Sequence, residues 1–478
     1  MKWNAVPLVG AVGLAPLVAA VPRGVVIARQ QSGTPSSGMS SSMGMSASMS
    51  APPTRSHPSS VAHTPFSGTP YTTGAVTASS VGTGIPMGSV SPEATTYPSN
   101  GNLNNPEPAP YVPAGGLGTN GTIPVYNAKS DFDYESLALA LYQEWIELDL
   151  FQDGLRRFSA EDFQAAGLSK ADRDLIAFMA EQEVGHATLI SNMLGAEAPQ
   201  QCNYNYPYTN VAEYLDFCQK LTRWGESGVY GFLAHLDSRE AASLLTLSIT
   251  TEARQQMIFR QFQGLFPMPV WFEVGVPQSW AWTLLAPYIS SCPEGQTRLA
   301  WQNFPGLQVL NQPSSATANN GTAQMNNTLG PAANVVRGNK TNNQPATGPN
   351  GGARVTHDIG ALSYPGRQVY LEWQQPGQEI GPNNSYVTST SAGAGQYVVW
   401  VSQLNVTYSS LTVTEQGTSN GTGRGYTIQP DLETFQGDPA INGTIFIAIT
   451  DSDAVYTPFN LSQINPHVVA GPAIYQAG

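Results

Sequence analysis

Between about residues 131 and 265, apolar residues recur in alternating steps of three and four along the chain. This spacing places them on one stripe of an α-helix, which completes a turn about every 3.6 residues. The pattern predicts four long helices, at about 131–157, 169–194, 210–235 and 238–263. Four helices of this kind bury their apolar stripes against one another, so we expect a four-helix bundle.

Sequence signals mark the ends of these helices. Ser169, with Asp172 three residues later, resembles a capping box, in which each side chain binds a backbone N–H at the start of a helix. Gly195 follows the second helix as a stop. Pro267 and Pro269 end the helical block, because proline interrupts the hydrogen bonding of a helix.

Beyond about residue 356, apolar and polar residues alternate, which is the period of β-strands. Gly, Pro and Asn between these segments predict turns, so we expect a small β-sandwich at 356–478. An aromatic, irregular stretch reaching residue 312 is predicted to pack on the bundle, which then occupies 126–312, and the Asn-, Gly- and Thr-rich segment 313–355 is predicted to be a linker. The predicted strands are 368–373, 396–401, 411–414 and 443–449. The fold class is therefore α+β.

The first part of the chain has a different character. Residues 1–20 contain Lys2, an apolar run from Ala5 to Val18 and small residues at the end, the three parts of a signal peptide. This run is too short and too interrupted by Gly and Pro to span a membrane. Residues 21–125 are rich in Ser, Thr, Pro and Met and cannot bury enough apolar surface to offset the entropy of ordering, so they are predicted to be disordered.

The composition argues against some classes of binding partner. The net charge of −13 argues against nucleic acid and anionic lipid, which would repel such a surface. The Asn-x-Ser/Thr glycosylation sequons all lie outside the predicted helices, which supports a protein that is secreted or held in the cell wall. Their asparagines are Asn120, Asn320, Asn326, Asn339, Asn383, Asn405, Asn420, Asn442 and Asn460. We expect a monomer or dimer, with metal ions and cell-wall components as the partners to consider.

The three cysteines exclude a disulfide scaffold. An oxidising compartment allows one disulfide and one free thiol. Cys218 falls in an apolar helical pattern and is predicted to be a small buried residue. The predicted pair is therefore Cys202 with Cys292, both in loops.

Each predicted helix places a carboxylate on its apolar stripe. A buried carboxylate without a partner costs several kcal/mol or takes up a proton. Four that converge in one core are explained by cations, and carboxylates with imidazole suit iron or manganese. The spacing Glu-x-x-His in the second helix points two ligands in the same direction. The candidate ligands of a di-iron or di-manganese centre are Glu144, Glu183, His186, Glu226, Glu252 and Gln255.

Other interpretations stand beside these. A single histidine on an apolar stripe is more often a hydrogen-bonded core residue than a ligand. Glu147 and Glu181 are alternatives to Glu144 and Glu183, which the phase of the stripe favours. Glu226 alternatively forms a salt bridge with Arg223 or Arg254.

Several motifs resemble known families. The Glu-x-x-His pair of the second helix resembles that of ferritin-like proteins, and residues 250–255, Thr-Thr-Glu-Ala-Arg-Gln, are similar to the Glu-Ala-Arg-His element of secreted ferritin-like proteins. Together with residues 222–232 and 464–472, the pattern resembles the fungal Rds stress-response family over about residues 125–478. The resemblance implies a ferritin-like bundle and a link to nutrient or stress conditions. It does not imply an established reaction.

Gln255 departs from a symmetric di-metal pattern, in which a second histidine is expected at this position. Ferritin ferroxidase centres resemble the arrangement with Gln here. An amide is a weaker ligand than an imidazole, so we expect one metal position to be weaker than the other.

The sequence thus predicts a secreted or cell-surface ferritin-like stress-response protein that oxidises iron or removes peroxide. The alternative is a non-catalytic cell-wall or matrix glycoprotein with a structural bundle.

Overall fold

A computed structural model describes residues 126–296, 298–313, 361–417, 421–440 and 443–478, with the backbone of two short strands between them. These residues belong to one compact unit. The predicted signal peptide (1–20) and disordered region (21–125) lie outside the described residues, as does most of the predicted linker (313–355).

The described residues form six α-helices: α1 Asp131–Arg157, α2 Ala160–Ala165, α3 Lys170–Leu194, α4 Val211–Leu233, α5 Arg239–Phe262 and α6 Gln278–Leu285. Short 3-10 helices occur at Gly195–Glu197, Ala286–Tyr288, Pro382–Asn384 and Leu461–His467. The four predicted helices correspond to α1, α3, α4 and α5. Both halves of the predicted capping box form at the start of α3, between Ser169 and Asp172.

Two helices differ from the sequence prediction. The six residues of α2 are too few to show a period. Residues Gln278–Leu285 (α6) lie in the stretch predicted to be irregular, which was wrong for this segment. Seven of its eight residues are buried, so its sequence carries no polar stripe to reveal a helix.

Helices α1, α3, α4 and α5 form the predicted bundle, in which α1 packs on α3 and α4, and α4 packs on α5. The start of α1 is tied to the turn between α4 and α5. Asp133 accepts hydrogen bonds from the backbone N–H groups of Asp237 and Ser238, at 2.8 and 2.9 Å. This contact aligns the ends of three helices.

The strands in chain order are β1 Asn203–Tyr204, β2 Ile289–Ser291, β3 Leu307–Val309, β4 Gly338–Asn339, β5 Gln344–Pro345, β6 Gln368–Trp373, β7 Glu379–Ile380, β8 Tyr386–Val387, β9 Tyr397–Ser402, β10 Asn405–Ser410, β11 Thr412–Glu415, β12 Gly423–Ile428, β13 Thr444–Thr450 and β14 Val468–Gln476. Two four-stranded antiparallel sheets follow the helices, in the orders β10-β9-β13-β14 and β11-β12-β6-β3. The α+β fold with a bundle followed by antiparallel sheets is therefore confirmed. Strand β3 precedes residues 313–355 yet pairs with β6, so the chain enters the sheets before the predicted linker.

The central strands β9 and β13 of the sheet β10-β9-β13-β14 are buried on both faces. Side chains of β13 alternate between two cores: Ile445 and Ile447 face the second sheet, whereas Phe446 and Ala448 belong to the core shared with the helices. Burial on both faces explains why β13 reads as a continuous apolar run rather than an alternating one. Trp280 of α6 lies in the same shared core.

A disulfide joins Cys202 to Cys292, which confirms the predicted pairing. Cys218 is free and buried in α4. None of the helices in the described ranges is both long and apolar enough to cross a bilayer.

Candidate metal centre

Helix α3 presents Glu183 and His186 to the interior of the bundle. The positions predicted to form its apolar stripe, from Ile176 to Met193, are buried. Glu183 is fully buried, and 8% of His186 is exposed. The phase of the stripe therefore predicted correctly which face of this helix is buried.

His186 and three glutamates, carried by three helices, lie close together in the interior of the bundle. Ligand atoms of Glu144 (α1), Glu183 and His186 (α3) and Glu252 (α5) all lie within 4.8 Å of one another. His186 Nδ1 is 3.0 Å from Glu183 Oε2, 3.3 Å from Glu144 Oε2 and 3.7 Å from Glu252 Oε1. We call these four residues the carboxylate cluster.

The other nitrogen of His186 has a separate partner. Nε2 is 2.9 Å from the Thr251 hydroxyl, and that hydroxyl donates its only proton to the Ser248 carbonyl at 2.7 Å. Thr251 therefore accepts from Nε2, which carries a proton. This contact leaves Nδ1 as the nitrogen that faces the carboxylates, the arrangement that orients a histidine for metal binding. No separate signal in the sequence marks Thr251.

Burial and charge shift the pKa values of the cluster. Burial opposes the charged form of His186, but the hydrogen bond to Glu183 and the charges of Glu183, Glu252 and Glu147 outweigh it and raise its pKa to about 9. Burial, together with the neighbouring carboxylates, raises the pKa of Glu144 well above its usual range. The pKa of Glu252 is raised well above its usual range for the same reasons.

A further buried carboxylate, Glu147, adjoins the cluster. It is fully buried one turn after Glu144 and accepts a hydrogen bond from Gln143 Nε2 at 2.7 Å. Burial and the charge of Glu183 raise its pKa well above the usual range. The sequence set Glu147 and Glu144 as alternatives, whereas both point inward; Glu181, the alternative to Glu183, is exposed. A buried helix face is wide enough to hold residues three apart.

Glu226 is buried as its phase predicted, but it lies outside the carboxylate cluster. Its Oε2 is 3.2 Å from Arg223 Nη1, and its Oε1 accepts a hydrogen bond from Tyr230 Oη at 3.1 Å. The salt bridge with Arg223, one of the two alternatives open from the sequence, is the arrangement found. Arg223 also pairs with Glu273.

Gln255 lies beside the cluster rather than in it. Its Nε2 donates to Glu183 Oε1 and, at 3.3 Å, to Gln182 Oε1. Its own Oε1 is buried and accepts no hydrogen bond from any residue that the structure describes. The amide therefore supports Glu183 and leaves one oxygen free for another ligand.

The donor set fits a transition-metal ion. Glu144 and Glu147 each have a buried oxygen that accepts no hydrogen bond within the described ranges. Four carboxyl groups, of Glu144, Glu147, Glu183 and Glu252, surround one imidazole, so the core carries more potential negative charge than His186 neutralises. A cation would compensate this charge, and oxygen donors with one imidazole suit iron or manganese. A separate surface cleft of about 380 Å³, lined by residues including Arg298, Trp301 and Tyr386, contains none of these side chains.

Comparison with known proteins agrees with this geometry. A family model described as a ferritin-like domain matches residues 131–265, which span α1 to α5. The chain is also 49% identical over 385 residues to Protein rds1 of Schizosaccharomyces pombe, covering 80% of this chain and 90% of that protein. The chain therefore belongs to the fungal Rds family of ferritin-like proteins.

Proposed function

We propose that the carboxylate cluster binds a transition-metal ion, iron or manganese, and that the protein uses it in iron oxidation or peroxide removal linked to stress. The observation that carries this proposal is the excess of buried carboxylates around a single imidazole. Without a cation, such a core has to keep protons on groups that are ionised in water.

Each residue has a distinct role in this proposal. Glu144, Glu183 and Glu252 supply oxygen donors from three helices, and His186 supplies Nδ1. Thr251 holds the His186 ring in the required tautomer. A bound iron or manganese ion would supply one-electron redox chemistry toward dioxygen or peroxide. The bundle keeps the donors largely away from bulk water, as their low exposure indicates.

Metal content tests the proposal. The protein is loaded with Fe(II) or Mn(II) without oxygen, passed through a desalting column and analysed by inductively coupled plasma mass spectrometry. We expect bound metal in the wild type and a loss of at least tenfold in His186→Ala and in Glu183→Ala. His235→Ala is the matched control, because His235 lies beyond α4 with its ring on Phe459 and should leave the metal content unchanged. Equal metal in the wild type and in the Glu183→Ala/His186→Ala double variant would rule the site out.

We also propose that the protein is secreted or displayed at the cell surface. The Cys202–Cys292 disulfide supports this location, because such bonds persist in oxidising compartments. Three sequons lie within the described ranges, at Asn383, Asn405 and Asn460. Each of these asparagines is at least partly exposed. Treatment of the native protein with an N-glycosidase should lower its apparent mass. An unchanged mass, together with retention inside the cell, would contradict this proposal.

A further inference from the structure

We propose that the bundle holds one metal ion rather than a pair, because the guanidinium of Arg223 takes the place of the second cation. The inference rests on the proposed metal function and concerns the number of ions and the residue that sets it. It departs from the two-ion centre expected from the sequence.

The first observation is a buried positive charge on α4. Arg223 is 4% exposed, and its Nη1 is 3.2 Å from Glu226 Oε2. A second carboxylate, Glu273, pairs with the same guanidinium. Arginine keeps its proton at every physiological pH, so this charge is permanent. The carboxylate that α4 would offer to a second ion is already paired with a positive charge of the protein itself.

The second observation is that each oxygen of Glu226 has a polar neighbour, an ion-pair partner for one and a hydrogen-bond donor for the other. Oε2 faces Arg223, and Oε1 accepts the hydrogen bond from Tyr230. A metal ion at Glu226 would displace Arg223 or lie within a few ångströms of it. Two like charges at that separation in a buried site repel strongly. Arg223 and a second ion therefore exclude each other.

The third observation is that two amide side chains, Gln143 and Gln255, donate to buried carboxylates. Gln143 donates to Glu147 and, at 3.1 Å, to the backbone carbonyl of Leu221 on α4. The Gln143 side chain lies directly against Gly225, where an added Cβ would be 2.4 Å from its Cδ. Gln255 of α5 donates to Glu183 of α3. Glu147 and Glu183 thus receive amide N–H donors, whereas Glu144 Oε2 accepts no hydrogen bond from the residues that the structure describes.

The bundle is therefore asymmetric. The side with His186 has three carboxylates and a ring nitrogen that faces them, which together are the donors for one ion. Among the residues that the sequence predicted for a second ion, Gln255 Oε1 and Glu226 Oε2 accept no hydrogen bond from the described residues, and Glu226 Oε2 faces the fixed charge of Arg223. Binding of a single ion would offset part of the remaining negative charge without disturbing the Arg223 pair.

The number of Mn(II) ions bound per chain tests this inference. Mn(II) binding is followed by equilibrium dialysis with elemental analysis, and electron paramagnetic resonance distinguishes an isolated ion from an exchange-coupled pair. We expect one isolated ion in the wild type. Arg223→Met removes the charge and should admit a second, coupled ion. Arg223→Lys keeps the charge and should bind one ion, as the wild type does.

Two further variants guard against misfolding and assign the second position. Arg223→Gln removes the charge but can still donate a hydrogen bond to Glu226, so it serves if Arg223→Met does not fold; it should also bind two ions. Arg223→Met/Glu226→Gln leaves neither charge and should return to one ion, which shows that the second ion uses Glu226.

The outcomes separate the two proposals. A wild type that binds two coupled ions would overturn this inference and leave the proposed metal function intact. A wild type that binds none would overturn the proposed function itself. One ion in the wild type and still one in both Arg223→Met and Arg223→Gln would show that Arg223 does not set the number.

Discussion

At the scale of single residues, the Thr251 hydroxyl decides which nitrogen of His186 faces the carboxylates. The hydroxyl proton goes to the Ser248 carbonyl, so Thr251 fixes the His186 Nε2 proton and leaves Nδ1 toward Glu183. Such supporting contacts matter to metal sites because they hold the ligand in the binding orientation before the ion arrives.

Thr251→Val keeps the shape of the side chain but removes the oxygen that accepts from His186. We expect metal affinity to fall by about 10- to 100-fold, since the ring is no longer held in one tautomer. Isothermal titration with Mn(II) measures the change. Thr250→Val is the matched control, because Thr250 is exposed and bonds only within its own helix, to Leu247. Similar affinities for the two variants would contradict this role of Thr251.

Metal binding should release protons, because the raised pKa values leave these side chains protonated in the metal-free protein. In the metal-free protein, His186 has a pKa of about 9 and is therefore protonated at pH 7, and the pKa of Glu144 is also raised. The ion binds the deprotonated groups, so affinity should rise as the pH increases from about 6 to 9 and level off above. Isothermal titration calorimetry at pH 7, in buffers of different ionisation enthalpy, measures the protons released on binding. We expect at least about one proton per ion. Binding without proton release would mean that His186 is not a ligand.

The sequence predicts which of these residues lie on the buried face of each helix, but not which groups their side chains contact. The phase of the apolar stripe put Glu144, Glu183, His186 and Glu252 inside, and all are buried. It put Glu226 inside as well, but phase carries no information on whether a buried carboxylate meets a metal position or a nearby arginine. That choice depends on Arg223, whose side chain reaches Glu226 from one turn earlier on the same helix.

At the scale of elements, α4 depends on glycine for its close approach to neighbouring segments. A Cβ added to Gly231 would lie 1.9 Å from the backbone oxygen of Val276, in the segment that leads into α6. The Val276 N–H also donates to the Ser227 carbonyl of α4, at 2.9 Å. This hydrogen bond holds the Val276 segment against α4, next to Gly231.

Gly231→Ala should therefore destabilise the protein by about 2 kcal/mol or more, because overpacking against backbone cannot be relieved by a change of side-chain conformation. Gly185→Ala is the comparison: an added Cβ on α3 meets nothing within 4 Å, and alanine favours helix by up to about 1 kcal/mol. Urea unfolding of both variants measures the difference. A Gly231→Ala protein as stable as Gly185→Ala would show that α4 and the Val276 segment do not pack as described.

Helix ends were the most predictable features at this scale. Ser169 with Asp172, and Gly195, carry local signals that do not depend on the rest of the fold, and they mark α3 correctly. Helix α6 was missed for the opposite reason. Its burial on all sides comes from the sheet and the bundle that enclose it, and a local pattern does not show this.

At the scale of the whole molecule, the helices and sheets share one core. Trp280 of α6 packs in the same cluster as Phe446 and Val399 of the central sheet. Strand β3 follows the helical part of the chain in sequence and pairs with β6. The sequence predicted two successive domains because a period of two follows a period of 3.6; it could not show that one sheet is covered by the helices.

A fragment of residues 361–478 should not fold by itself. It lacks β3, and it exposes the apolar side chains of Val399, Val401 and Phe446 that the helical part covers. We expect it to bind an apolar dye and to unfold without a cooperative transition, whereas a fragment of residues 126–478 should unfold cooperatively. A soluble, monomeric fragment 361–478 with a cooperative transition would show that the sheets form an independent domain.

Anomalous X-ray diffraction at the manganese edge, on a crystal of the protein loaded with Mn(II), locates the bound ion. We expect a single anomalous peak per chain among Glu144, Glu183, His186 and Glu252, with Arg223 still paired to Glu226. No peak within coordination distance of His186 Nδ1, although the crystal binds manganese elsewhere, would contradict the proposed site.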